Sequence, residues 1–141
     1  MSTEAYEIQL VPSETDWDYH ACLLATITGL PRLEVYNKFP EKLQKLDGWR
    51  GSYFGEAARA LGFNTNPRFI KFDPLTPWPC ILRVQVPDAW GWKGKWWALV
   101  YNQGVVYNVN GHPAETQYQH WLEDNPGCRI TSMLQIWISD L

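Results

Sequence analysis

Apolar and polar positions alternate with two different periods along this chain, and the change falls near Gly62. Before it, the pattern is helical. "DYHACLLATITG", residues 18–29, opens on an acid, continues as a nearly unbroken run of small and apolar residues, and stops at a glycine. Such a run predicts a helix buried on all sides. Pro31 just beyond Gly29 completes the stop, and Asp16 or Asp18 can cap the start. A short extended arm, "EIQLV", precedes it and ends at Pro12. "RLEVYNKF" predicts a short second helix closed by Pro40. "SYFGEAARALGF" predicts a third, with Phe54, Ala57, Ala58 and Leu61 at helical spacing and Gly62 after the last turn.

Beyond Gly62 the runs are short and rich in strand formers: "NPRFIKF", "PCILRVQV", "WWALVYN", "VVYNVN" and "RITSMLQIWI". "NQG" between two of them signals a hairpin turn. "ETQYQHWLED" predicts one short helix before the last strand. Helices first and an antiparallel sheet afterwards predict an α+β domain. There are no repeats, low-complexity tracts or internal linkers, so residues 1–141 are read as a single domain.

Composition narrows the function classes. A 45% apolar content is that of a soluble globular protein, and no apolar stretch approaches a membrane span. The net charge is -3 and no basic run exists, which argues against a nucleic-acid partner. "MSTEAYEIQLVPS" has neither a basic nor a hydrophobic segment, so no secretory leader is expected there. Cys22, Cys80 and Cys128 are widely spaced and odd in number. That pattern fits neither a disulfide framework nor a thiolate metal site, and implies a reducing, cytoplasmic setting. No cofactor or metal is expected. Nine tryptophans are far above ordinary usage. Some must fill core volume, and so many also imply aromatic anchors on a partner surface.

The order of elements and several residues resemble the C39-like peptidase family, whose fold is papain-like. "LVPSETDWDYHACLLATITGLP" resembles that family's opening: a Val-Pro-Gln-like segment, Asp-Cys-Gly, then a small-apolar helix ending near Thr-Gly. "ALGF" resembles the end of the helix before the sheet. "KWWALVYNQGVVYNVNG" resembles the hairpin that carries a histidine at the start of one strand and an Asp or Asn at the end of the next. The resemblance spans essentially the whole chain, but its chemistry is replaced. The oxyanion-hole glutamine falls on Ser13, the nucleophilic cysteine on Tyr19, the following glycine on His20 and the histidine on Trp96. The orienting Asp/Asn alone is kept, as Asn108. A phenol near its ordinary pKa of roughly 10 is no thiolate, and an indole carries only an N–H donor and cannot act as a base. The resemblance therefore implies a pseudoenzyme that docks a polypeptide or a partner subunit around Tyr19, Trp96 and Asn108. Small stand-alone domains of this type occur in phage genomes, so it also implies an oligomer or assembly subunit of a phage particle, placed in the virion, or of a secretion assembly.

An enzyme of another design is the alternative. Cys22 lies three residues after Tyr19 and so on roughly the same side of the helix, one turn deeper, with His112 or His120 as candidate base. Its neighbours Ala21, Leu23, Leu24 and Ala25 are apolar, which disfavours a thiolate. Asp18, His20 and Cys22 are two apart on a helix and point to different sides, so they form no triad. His20, Cys22 and a distant histidine match no standard metal-ligand spacing. Cys128, in a turn, is read as structural. In "AWGWKGKWWALVYN" the strand alternation places Trp97, Leu99 and Tyr101 on one face and Trp96, Ala98 and Val100 on the other. Trp90 and Trp92, beside the glycine turn, are the expected exposed anchors for a protein or peptide partner.

Overall fold

The computed structural model describes residues 8–13, 19–39, 52–87, 96–109 and 114–138. Three helices come first: α1 (Tyr19–Thr28), α2 (Arg32–Tyr36) and α3 (Ser52–Ala60). Then follow β1 (Phe63–Thr65), β2 (Cys80–Gln85), β3 (Trp96–Asn102), β4 (Val105–Tyr107), β5 (Glu115–Gln117), α4 (Tyr118–Asp124) and β6 (Arg129–Ile138). The six strands form one antiparallel sheet in the order β1-β6-β2-β3-β4-β5.

The sheet divides the interior in two. On one face Ile81, Ala98, Val100, Leu134 and Ile136 pack against α1, α2 and α3. On the other, Leu82, Val84, Leu99, Tyr101 and Met133 pack against Trp121 of α4 and against Phe72. The predicted alternation of β3 holds: Trp96 leans on the first core and Trp97 on the second, each partly buried. Helix α1 is the centre of the first core, with every residue from His20 to Ile27 buried. Its lack of a polar face is the direct reason: sheet, neighbouring helices and the N-terminal arm cover it all round.

Two predicted elements differ. "ETQYQHWLED" is not one helix, because Glu115–Gln117 pair with β4 as strand β5, and the helix starts at Tyr118. Pairing along the open edge of β4 outweighs the helical preference of Glu115 and Gln117, and Thr116 between them favours a strand. "NPRFIKF" is not a continuous strand either. Regular pairing of β1 stops at Thr65, and the remainder contributes only the bridge between Ile70 and Met133. Pro67 has no N–H for a ladder. The Asn66 side chain substitutes for backbone there: its Oδ1 accepts from the Gln135 N–H at 2.7 Å, and its Nδ2 donates to Gln135 Oε1 at 3.1 Å. The "NQG" turn is as predicted, with Gln103 at φ 46 and Gly104 at φ 89, the paired positive angles of a type I′ hairpin.

Candidate functional site

The arm, α1 and the β3–β4 hairpin converge at one end of the helix-facing side of the sheet. The arm is pinned through Thr26, whose hydroxyl accepts from the Val11 N–H at 2.9 Å and donates to the Cys22 carbonyl at 2.7 Å. Two residues further on, the Ser13 N–H donates to the Val109 carbonyl at 2.7 Å. Ser13 therefore lies beside the exit of β4, where Asn108 follows the last paired residue and donates its N–H to Ala114 at 2.8 Å. Tyr19 is the first residue of α1, and its hydroxyl donates to the carbonyl of Ala98, two residues inside β3 from Trp96. The four positions singled out by the resemblance, Ser13, Tyr19, Trp96 and Asn108, thus belong to elements that meet in one region.

The chemistry of that region follows from its groups. Burial pushes the Tyr19 phenol well above its ordinary range. The phenol is neutral at physiological pH, and its single proton is committed to Ala98. Trp96 supplies a ring face and an N–H and no basic atom. The guanidinium of Arg83 sits over that ring at 4.9 Å from its centroid. Sequence reasoning missed Arg83. The available signal was the progression Ile81, Arg83, Gln85 along one face of β2, apolar then polar, which marks where the helical cover ends.

Cys22 is fully buried, and its Sγ lies 3.7 Å from the Pro12 carbonyl, under the arm. His120 is exposed on α4, and α4 packs through Trp121 against the opposite face of the sheet. The structure therefore does not bring His120 to Cys22. Trp90, Trp92 and His112 lie outside the described residues. His20, where the family pattern has glycine, is buried edge-on against Phe39 at 4.6 Å, with Tyr36 at 5.9 Å. Cys80 is buried in the second core, and Cys128 packs at its margin; burial raises both thiol pKa values. Among the described residues no group of three or more His, Cys, Asp or Glu is placed to hold a metal ion. No helix among them is long and apolar enough to cross a membrane.

Comparison with known proteins places the fold. The chain superposes on the crystal structure of the peptidase domain of Streptococcus ComA, a bi-functional ABC transporter involved in a quorum sensing pathway. The TM-score is 0.64 at 16% identity, over 94% of this chain and all of that one. The architecture is that of a C39-like peptidase domain. No family model matches the sequence. No curated protein matches it either.

Proposed function

We propose that this protein is a non-catalytic binding protein built on a C39-like peptidase fold, and that it docks a polypeptide or a partner subunit around Tyr19, Trp96 and Asn108. The observation that carries the reading is the Tyr19 hydroxyl at the head of α1, partly buried and donating to the Ala98 carbonyl. Acyl transfer through this position would need a thiolate at the helix start and a base at the start of β3. Tyr19 and Trp96 supply neither. The full burial of Cys22 supports the same reading, since a nucleophile must meet its substrate.

Two measurements test it. Purified protein is incubated near neutral pH with fluorogenic peptide and amide substrates, beside Cys22→Ala. Neither protein is expected to turn them over above buffer; hydrolysis by the native chain that Cys22→Ala abolishes overturns the reading in favour of a cysteine hydrolase. In parallel, a displayed library of random dodecapeptides is selected on the native protein. Enriched peptides that are lost on Trp96→Arg support docking, and a selection that enriches nothing refutes it.

A further inference from the structure

On its helix-facing side the sheet carries a polar row beyond the core. Ile81 of β2 lies in the first core, but Arg83 and Gln85, next on the same face, are exposed. Directly opposed residues share a face of an antiparallel sheet. Gln85 is opposed by Trp96 on β3 and by Arg129 on β6; Arg83 is opposed by Ala98 and Ser132. This face therefore places Trp96, Gln85 and Arg129 side by side, with Arg83 diagonal to Trp96 and separated from Arg129 by the register shift between Arg83 and Val84. Both arginines are held from within the sheet. Arg83 lies over the Trp96 ring at 4.9 Å, and Arg129 donates to Gln85 Oε1 at 2.7 Å. Among the described residues neither guanidinium meets a carboxylate.

Two oriented cations that meet no carboxylate among the described residues, on a chain of net charge -3, suit an anion from elsewhere. We propose that this row is a docking surface for an acidic, extended polypeptide segment that presents carboxylates at alternate residues to Arg83 and Arg129. Arg83 and Arg129 stand on adjacent strands within one ladder step of each other, and alternate residues of an extended chain, roughly 6.6 Å apart, present their side chains to one face. Arginine receives a carboxylate in a two-pronged geometry, and its fixed placement here lowers the ordering cost of binding. A short acidic segment feels this local field alone, whereas a long nucleic acid also meets the repulsion of the acidic chain. The proposal rests on the docking reading above and names the chemistry of the docked segment.

The test is fluorescence anisotropy with the whole protein and two labelled octapeptides, one alternating Glu with Thr and one alternating Gln with Thr. In low salt the acidic peptide is expected to bind at least about tenfold more tightly, and its advantage to shrink as salt rises through the screening range. Arg83→Gln and Arg129→Gln should each weaken it by about fivefold, the scale of an exposed charge pair. Both arginines are exposed, so an unchanged unfolding temperature certifies that these variants are folded. Equal binding of the two octapeptides, wild-type affinity in both arginine variants, or absence of binding by the acidic peptide overturns the proposal. Tighter binding of an oligothymidylate than of the acidic peptide overturns it in favour of nucleic acid. The display selection separates the two levels: enriched peptides without acidic residues leave docking standing and remove the acidic segment, whereas no enrichment removes both.

Discussion

Tyr19 is the sharpest place to perturb. Tyr19→Phe removes one hydroxyl and keeps the ring; Tyr19→Ala removes both. The hydroxyl donates to the Ala98 carbonyl in a partly buried setting, so its loss should cost about 1 kcal/mol, the usual net value of one intramolecular hydrogen bond. The ring packs against the first core, and truncating a packed aromatic to alanine typically costs about 3–5 kcal/mol. The unfolding entropy scales with length: for 141 residues at ~2.1 cal/mol/K each it is ~0.3 kcal/mol/K, so 1 kcal/mol corresponds to ~3 °C in Tm. Tyr19→Phe should therefore lower Tm by ~3 °C and Tyr19→Ala by ~10–15 °C, read by circular dichroism or calorimetry near neutral pH. Alkaline pH adds a second signature. The folded state holds the phenol above its ordinary pKa, so its contribution is fully present below pH ~10 and declines as the unfolded chain loses that proton above it. Other buried phenols and thiols add to the same decline, but the gap between wild type and Tyr19→Phe isolates this one, and it should narrow above pH ~10. A Tyr19→Ala protein as stable as wild type would show that the ring fills nothing, and would refute its packing against the first core.

Three further outcomes follow from other features. Native-state alkylation near neutral pH, read by mass spectrometry, should leave Cys22 and Cys80 unmodified until the protein unfolds, with Cys128 reacting before them; rapid labelling of Cys22 would contradict its burial under the arm. Gly104→Ala meets no atom within 4 Å, so its cost is the positive φ alone, about 1–2 kcal/mol, and a Tm loss of ~3–6 °C should result without change in near-ultraviolet circular dichroism. Asn66→Ala removes the amide that bonds Gln135 through both its backbone and its side chain, and should lower urea-unfolding stability by about 1–3 kcal/mol; an unchanged midpoint would show that water replaces the amide without loss.

How much was legible in the sequence differs by kind of interaction. Helix α1 was readable because its signals are local: an apolar run, Gly29 and Pro31. The Gln103–Gly104 turn and the faces of β3 were readable for the same reason, since turn angles and a period of two are set by adjacent residues. The identity of β5 was not, because Glu115–Gln117 become a strand only when β4 presents an open edge. The convergence of Ser13, Tyr19, Trp96 and Asn108 was inferred by resemblance and by nothing in their spacing. Arg83 escaped because its ring partner is a diagonal neighbour on another strand, and register between strands is not written in either one. The cover over Cys22 escaped similarly: Pro12 is held over it by the Val11–Thr26 bond, a contact fifteen residues apart, and by the Ser13–Val109 bond.

The last of the described strands in chain order is an inner one. β6 lies between β1 and β2 and pairs with both, so neither earlier strand has that neighbour until residues 129–138 have left the ribosome. The helices and the β2–β3–β4 pairs can form as they emerge, yet the sheet cannot close in order of synthesis. Assembly waits on contacts of long sequence separation, such as Phe63 with Ile138, and topologies of that kind fold slowly. Until that strand docks, the flanks of β1 and β2 are open templates for a foreign strand, and a chain interrupted before Arg129 keeps them open for good.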